Sequence, residues 1–200
     1  MLHVSELSRP GLGPVSFSLG KGQCLGVTGP SGAGKTLLLR AIADLDPNEG
    51  KVELAGAERR SMPAPEWRSK AGLVPAESGW WADKVREHFD RPGEAIGILE
   101  ALGLPGDAID WQVQRLSTGE RHRLAIARAL QLEPDVLLLD EPTAALDKQA
   151  TRKVEAVLTA QMKAGKAIVL VTHDAAQLKR LAHSKLELAG GRASAQEPVR

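Results

Sequence analysis

The chain has 200 residues, and its 26 Lys and Arg offset 25 Asp and Glu to a formal net charge of +1. This length predicts one domain with a sizeable core, and the balanced charge gives no reason to expect nucleic acid as a partner. One cysteine excludes an internal disulfide and suits a reducing compartment. The sequence lacks a signal-peptide pattern and an apolar run of the roughly 18–20 residues that span a bilayer. We therefore expect any membrane-spanning helices in another chain.

The first predicted elements are strands at residues 2–7 and 15–19, separated by a turn rich in proline and glycine. A third strand, 24–28, leads into a segment that fits G-x-x-x-x-G-K-[ST], and a helix is predicted at 36–45. The glycines of such a segment let backbone N–H groups surround a phosphate. The residues expected to bind a nucleotide here are Gly29, Pro30, Ser31, Gly32, Ala33, Gly34, Lys35, Thr36 and Leu37.

Two side chains of this segment carry specific chemistry. Lys35 is expected to reach the β- and γ-phosphates, and the Thr36 hydroxyl is expected to hold Mg²⁺. The phosphates would meet the N-terminus of the following helix, where the helix dipole favours negative charge. Because strand, loop and helix follow in this order, a glycine-rich turn that matches by chance is disfavoured.

The middle of the chain predicts short strands at 51–54 and near Leu73-Val74, then a small helical insertion at about 79–115 that is broken by Pro-Gly pairs. A helix is predicted next at 117–131. Its start is a capping box, in which Ser117 accepts from a first-turn N–H and Glu120 reaches back to the Ser117 N–H. The same helix N-terminus is also an anion site, so a structural cap and a phosphate contact both remain open.

An apolar strand at 136–140 ends in Asp140, followed by Glu141. Ligands of open α/β sheets lie at the carboxyl ends of strands, so Asp140 is expected beside the glycine-rich loop, where its carboxylate completes the Mg²⁺ shell. Glu141 is then placed to orient and polarise the water that attacks the γ-phosphate. An acidic turn without a metal is the alternative, and the preceding glycine-rich loop disfavours it.

The remaining predicted elements are a helix at 148–163, a strand at 167–172, a helix at 175–182, a strand pair near 186–188 and a frayed tail from 193. The continuous apolar runs at 136–139 and 168–171 are typical of parallel strands that are buried on both faces. The alternation of strands and helices therefore predicts an α/β fold with helical crossovers.

Taken together, these segments resemble the motifs of the ATP-binding cassette (ABC) ATPases, whose signature is usually Leu-Ser-Gly-Gly-Gln. The resemblance covers residues 116–130, residues 141–147 and His173, and it runs through nearly the whole chain in the family's order. It implies a P-loop NTPase of ABC type with a mostly parallel sheet core, an N-terminal antiparallel β subdomain and a compact helical subdomain. The implied boundaries are a single domain at 1–200, with the helical subdomain at about 79–131 and a C-terminal strand and tail at about 186–200.

The resemblance also implies roles for individual residues. Lys35, Glu141 and His173 would be catalytic, with His173 touching the γ-phosphate, and Asp147 would communicate between two sites. In the family, the signature segment faces ATP bound by a second cassette, which implies an ATP-bound homodimer. The residues that would complete the partner's site are Ser117, Thr118, Gly119 and Glu120.

The implied function is MgATP hydrolysis by a nucleotide-binding subunit that powers a separate transmembrane subunit and is held by it, in the cytoplasm, at the inner face of the membrane. A soluble ABC ATPase that acts in assembly or remodelling is the alternative. A non-hydrolysing ATP sensor is disfavoured because the residues for hydrolysis are present.

Three features depart from the family pattern or extend it. The family often has an aromatic residue upstream of the P-loop to stack on adenine, but segment 8–14 (SRPGLGP) has none, so Arg9 either stacks on the base or is a solvated surface side chain. Ala76 stands where the family usually has glutamine, and Glu77 is a candidate substitute ligand for Mg²⁺, against a solvated glutamate with coupling carried by the loop backbone. Trp80 and Trp81 either anchor a helix of the membrane subunit or cap the small helical core.

Overall fold

The computed structural model describes residues 1–199. Its strands are β1 (Leu2–Arg9), β2 (Leu12–Leu19), β3 (Cys24–Thr28), β4 (Glu49–Leu54), β5 (Ala57–Glu58), β6 (Ala71–Val74), β7 (Val136–Asp140), β8 (Ala167–Val171), β9 (Ser184–Ala189), β10 (Arg192–Ala193) and β11 (Glu197–Pro198). Its α-helices are α1 (Lys35–Ile42), α2 (Ala64–Lys70), α3 (Pro92–Ala101), α4 (Thr118–Leu130), α5 (Lys148–Lys163) and α6 (Ala175–Leu181). Short 3₁₀ turns lie at Arg59–Ser61, Val85–His88, Gly106–Asp110 and Val113–Arg115.

The N-terminal strands form an antiparallel sheet in the order β2-β1-β4-β5. Arg9 pairs with Leu12, so only Pro10 and Gly11 connect β1 to β2. The wider turn expected from the sequence is therefore wrong, and β2 begins three residues earlier than Val15. Gly11 makes this tight connection possible because it adopts a φ of 84°.

The main sheet has the order β10-β9-β3-β8-β7-β6, with β11 added to β9. Strands β9, β3, β8, β7 and β6 pair in parallel, whereas β10 and β11 run antiparallel to β9. This arrangement confirms the α/β fold with a mostly parallel sheet and an N-terminal antiparallel subdomain. It also places the carboxyl ends of β3, β7 and β8 side by side.

Alternate residues of the parallel strands pack into two separate hydrophobic clusters. Val136 and Leu138 of β7 join the cluster that contains α1 and the antiparallel sheet. Leu137 and Leu139 join the cluster that contains α3, α4 and α5. A strand buried on both faces needs apolar residues at every position, which is why this run has no polar alternation.

The segment between β6 and α4 contains α3 and three of the 3₁₀ turns. Its apolar residues, such as Leu99 and Leu102, are fully buried in the cluster that also contains Leu124 of α4 and Leu158 of α5. The segment therefore folds against α4 and α5 rather than adding a strand. No helix within residues 1–199 is long and apolar enough to cross a membrane.

Two parts of the chain differ from expectation. The predicted frayed tail instead returns to the sheet: Glu197 pairs with Lys185, and Gln196 Nε2 donates to Ser184 Oγ at 2.8 Å. Helix α2 was not expected, because its seven residues have little helical pattern of their own. It is fixed by Trp67, which is fully buried and donates its indole N–H to the Ile42 carbonyl at 2.8 Å.

Candidate nucleotide-binding site

The glycine-rich loop joins β3 to α1 at the carboxyl edge of the parallel sheet. Gly29 has a φ of 138°, and a Cβ at this position would overlap the carbonyl oxygen of Leu188 in β9. Gly34 is the N-cap of α1 with a φ of 101°. Both positions require glycine, so the chain turns from strand to helix without a side chain in front of the α1 N-terminus. Anions are favoured at this end of the helix.

The loop is supported from behind by the turn between β9 and β10. Gly191 donates its backbone N–H to the Ala33 carbonyl at 3.2 Å, and its own carbonyl accepts from Gly13 at 2.5 Å. The loop is therefore tied by one hydrogen bond to a turn that is itself hydrogen-bonded to β2. A loop fixed in this way can present its N–H groups to a phosphate without further rearrangement.

Lys35 lies across the mouth of the loop and is only 8% exposed. Its Nζ donates to the carbonyls of Gly29 at 2.8 Å and Pro30 at 2.9 Å. An ammonium has three N–H donors, so one more is available for an acceptor such as a phosphate oxygen.

Thr36 and Asp140 meet at the bottom of the cleft. Thr36 Oγ1 donates to Asp140 Oδ2 at 2.6 Å, although the two residues are 104 positions apart. Asp140 ends β7 and is 5% exposed. Hydroxyl and carboxylate oxygens are the ligands that Mg²⁺ prefers, and Mg²⁺ takes its other ligands from phosphates and water. The two side chains therefore fit a magnesium ion bound together with a nucleotide.

Glu141 and His173 close the cleft on its other side. His173 Nε2 lies 3.2 Å from Glu141 Oε1, but the angles are not those of a hydrogen bond, so this buried oxygen has no hydrogen-bond partner within residues 1–199. Burial raises the pKa of the Glu141 carboxyl, while the nearby His173 opposes this rise. A higher pKa makes the carboxylate a better proton acceptor, and its unpartnered oxygen can take a water hydrogen.

The cleft has a volume of about 350 Å³. It brings together residues at or after the ends of four strands, and they are Ser31, Gly32, Gly34, Lys35, Thr36, Leu37, Ala76, Asp140, Glu141 and His173. Of the predicted phosphate-binding residues, Gly29, Pro30 and Ala33 do not line it. They form the back of the loop, and Ala33 is buried.

The predicted signature residues lie outside this cleft, at the start of α4. Ser117 is the N-cap, its Oγ accepting from the Glu120 N–H at 3.3 Å, while Glu120 Oε2 accepts from the Ser117 N–H at 2.8 Å. The expected capping box is therefore present. Thr118 and Gly119 form the first turn, and a Cβ on Gly119 would lie 3.3 Å from the Ala145 carbonyl. The start of α4 thus packs closely against the loop that leads to α5.

Asp147 ends that loop and caps α5. Its Oδ1 accepts from the Ala150 N–H at 2.8 Å, which is the bond expected of an N-cap residue. A role between two sites would have to be compatible with this cap.

The exposed placement of Glu77 agrees with the solvated alternative, whereas Arg9 fits neither of its two expectations. Glu77 is exposed and does not line the cleft, whereas its neighbour Ala76 does. A metal contact by Glu77 would need a different backbone path. Arg9 is neither freely solvated nor free to stack on a base, because its guanidinium forms an ion pair with Asp46. The Asp46 carboxylate also binds Arg40. No local pattern predicts this pair, since Arg9 and Asp46 meet only through the packing of β1 on the turn after α1.

Two further groups of residues near the cleft were not expected. His122 of α4 contacts the Ala76 carbonyl, and Gln177 of α6 donates to Thr143 at 3.0 Å and to Glu155 at 3.3 Å. Neither belongs to a motif with a chemical meaning of its own. Their partners are between 22 and 46 residues away, so only the fold reveals them.

The fold and the site define a P-loop nucleotide-binding protein of the α/β class. The family model described as ABC transporter matches residues 12–144, and the chain belongs to that family. It is 34% identical to a probable anion import ATP-binding protein of Haloferax volcanii over 88% of this chain and 71% of that protein. It is 37% identical to the Nod factor export ATP-binding protein I of Ralstonia nicotianae over 91% of this chain, and there it spans only 60% of the relative.

A solved structure gives the same result for the fold. The dimeric ATP-binding cassette MJ0796, in a post-hydrolysis state bound to ADP and Pi, is 24% identical and superposes with a TM-score of 0.80. The match covers all of this chain and 99% of that one. The whole chain therefore has the ABC ATPase fold, including the part after residue 144.

Proposed function

We propose that this chain binds MgATP in the cleft and hydrolyses it, as the nucleotide-binding subunit of an ABC transporter. The observation that carries the proposal is the meeting of Thr36 and Asp140 at 2.6 Å, with Glu141 directly beyond them. The names of the two relatives, an import and an export ATP-binding protein, support a role in transport rather than in assembly or remodelling.

The backbone amides and five side chains of the cleft have separate roles in this proposal. The amides at the start of α1 and the Lys35 ammonium bind the phosphates. Thr36 and Asp140 hold the ion, which supplies charge neutralisation of the phosphates when it is bound. Glu141 accepts a proton from the attacking water, and His173 holds the γ-phosphate edge of the cleft. The protein contributes mainly position and charge, as phosphoryl transfer requires.

A second copy of this chain is part of the proposal. Ser117, Thr118, Gly119 and Glu120 lie outside the cleft of their own chain, so they are available to another one. The α4 N-terminus would then face the γ-phosphate of the partner's ATP, and Asp147 would lie near the contact between the two sites. The dimeric state of the similar ATP-binding cassette supports this arrangement.

A separate membrane-spanning subunit is the third component. The groove between α1, β6 and α4 has a volume of about 690 Å³, and Trp81 and Leu132 are exposed on it. We place the contact with the membrane subunit at this groove, which would hold the chain on the inner face of the membrane. Nucleic acid is not expected as a partner, since the net charge is only +1.

The test is the substitution Glu141→Gln. The amide keeps the shape of the side chain but cannot accept the water proton, so ATP binding should persist while the hydrolysis rate falls by on the order of 10²–10⁴-fold. An ATP-dependent dimer should then accumulate, which light scattering can detect. The matched control is Glu133→Gln, which changes an acidic residue away from the cleft and should leave turnover unchanged.

A Glu141→Gln chain that turns over ATP at the parent rate, with no ATP-dependent dimer, would refute the proposal. Loss of ATP binding in this variant would refute the assigned role of Glu141, because the amide adds no bulk.

A further inference from the structure

Helix α4 binds the loop that follows β6 at two carbonyl groups. His122 Nε2 lies 2.6 Å from the Ala76 carbonyl oxygen, and Arg128 Nη1 donates to the Gly79 carbonyl at 3.0 Å. These contacts fix both ends of the short segment 76–79. The segment begins at the nucleotide cleft and ends next to Trp80 and Trp81, of which Trp81 lines the groove.

The contact with Ala76 defines which ring nitrogen of His122 carries the hydrogen. A carbonyl oxygen only accepts, so Nε2 must carry the hydrogen that is donated to Ala76. Nδ1 is buried and has no hydrogen-bond partner within residues 1–199. The ring is therefore held by a single hydrogen bond, and that bond is the only polar contact between the ring and the described part of the chain.

Ala76 lines the cleft beside Thr36, Asp140 and Glu141. Its side chain is a methyl group, so it cannot coordinate an ion or bind a water molecule. The backbone is the only polar group that this residue has, and the His122 ring holds its carbonyl. A shift of Ala76 on nucleotide binding would therefore be passed to α4 through this bond.

The other end of the segment carries the tryptophans. The Arg128 guanidinium lies 4.8 Å from the centre of the Trp80 ring and 5.0 Å from that of Trp81. His88 packs edge-on against the same two rings, at 4.8 and 4.4 Å. The tryptophans are thus attached through Arg128 to α4, and the same helix holds Ala76 through His122.

We infer that His122 is a positioning residue that couples the nucleotide cleft to the groove lined by Trp81 through the Ala76 carbonyl. The inference rests on the proposed function, because it assumes that the cleft binds MgATP. Helix α4 also begins with the Ser117–Glu120 cap, so the same rigid element reaches the surface offered to a second copy. A purely structural hydrogen bond would affect stability alone, whereas a coupling bond changes how the groove responds to nucleotide.

The experiment measures the tryptophan emission of the chain on addition of MgATP and of MgADP. The parent is compared with His122→Phe and His122→Leu, which lack the donor, and with His122→Gln, whose amide N–H has about the same reach. Trp81→Phe identifies the part of the signal that comes from the groove, since Trp67 is buried elsewhere. Nucleotide affinity is measured separately by titration calorimetry, and kcat and KM are measured for each chain.

We expect the donor-free variants to bind MgATP within about twofold of the parent and to keep its KM. Their ATP-induced emission change and their kcat should fall by about threefold to tenfold, the effect of losing one hydrogen bond. His122→Gln should restore most of both. His122→Leu serves as the second donor-free variant if the larger phenylalanine ring disturbs the packing of α4.

Three results would overturn the inference while leaving the proposed function intact. The parent binds MgATP but its groove emission does not change; the donor-free variants keep the parent's emission change and kcat; or His122→Gln behaves like His122→Leu. A parent chain that does not bind MgATP would refute the proposed function itself, and with it the assumption behind the coupling.

Discussion

At the scale of single residues, the ion pair between Arg9 and Asp46 bears on how the chain recognises a nucleotide base. Asp46 accepts from Arg40 at 2.7 and 2.8 Å and also pairs with Arg9. The Arg40 guanidinium, which has the larger effect, and the Arg9 guanidinium lower the pKa of the Asp46 carboxyl to about 2. The Arg9 guanidinium is therefore held in an ion pair with a carboxylate, and it is not free to stack on a nucleotide base.

We accordingly expect the base to contribute little to binding. A stacking aromatic ring contributes on the order of 1–3 kcal/mol of binding free energy per base, and the segment around Arg9 has no such ring. ATP and GTP should bind with affinities within about tenfold of each other in a calorimetric titration with Mg²⁺. The control variant, Arg9→Tyr, introduces a ring and should tighten binding of both nucleotides.

A preference for ATP above roughly hundredfold, or about 2.7 kcal/mol, would show that another residue reads adenine.

At the scale of elements, α6 is held in place by a polar network rather than by its own helical stability. It has only seven residues, too few for a stable isolated helix. Glu155 of α5 is 8% exposed and accepts from Arg180 Nε at 2.9 Å and Nη2 at 2.6 Å. Gln177 connects the same carboxylate to Thr143. The network links the helix after His173 to the loop that leads to Asp147.

Removing Arg180 should therefore destabilise the chain. Arg180→Ala leaves the buried Glu155 carboxylate without its main donor, which costs about 1–3 kcal/mol of unfolding free energy. The double variant Arg180→Leu with Glu155→Leu should recover much of this loss, because neither charge is then unpaired. Equilibrium urea unfolding measures the difference.

The matched control is Arg86→Ala. Arg86 pairs with Asp110 at 3.1 Å, but both side chains are more than half exposed, so this change should cost only about 0–1 kcal/mol. Equal losses in Arg180→Ala and Arg86→Ala would contradict the proposed importance of the buried network.

At the scale of the whole molecule, the two tryptophans, for which the sequence left two roles open, differ in burial. Trp80 is half-buried and packs against the cluster that contains α3 and α4. Trp81 is 73% exposed and lines the groove beside Arg128. An exposed aromatic ring next to a partly desolvated guanidinium is the kind of anchor that interfaces use.

The two single substitutions should therefore have different effects. Trp81→Ala should leave the unfolding free energy within about 0.5 kcal/mol and ATP binding unchanged, but weaken co-purification with the membrane-spanning subunit. Trp80→Ala should lower stability by about 2 kcal/mol or more, because it removes packed atoms.

If Trp81→Ala unfolds the chain, or if it binds the membrane subunit as the parent does, the assignment of the groove is wrong.

The sequence by itself determined the chemistry of the cleft and the class of fold. The glycine-rich loop, the strand ending in Asp140 and the capping box at Ser117 are local patterns, each fixed by neighbouring residues. Helix α5 was predicted with its observed bounds, because Asp147 caps its start and Gly165, with a φ of 86°, follows its end. Continuous apolar runs determined that the parallel strands are buried on both faces.

Only the tertiary structure decided how distant residues meet. The bond from His122 to Ala76 spans 46 positions, the Arg9–Asp46 pair spans 37, and the tail pairs with β9 although a frayed tail was predicted. None of these contacts leaves a periodic or local signal, because each depends on the packing of separate elements. For the same physical reason, only the packed chain shows that Trp80 is half-buried and Trp81 is exposed.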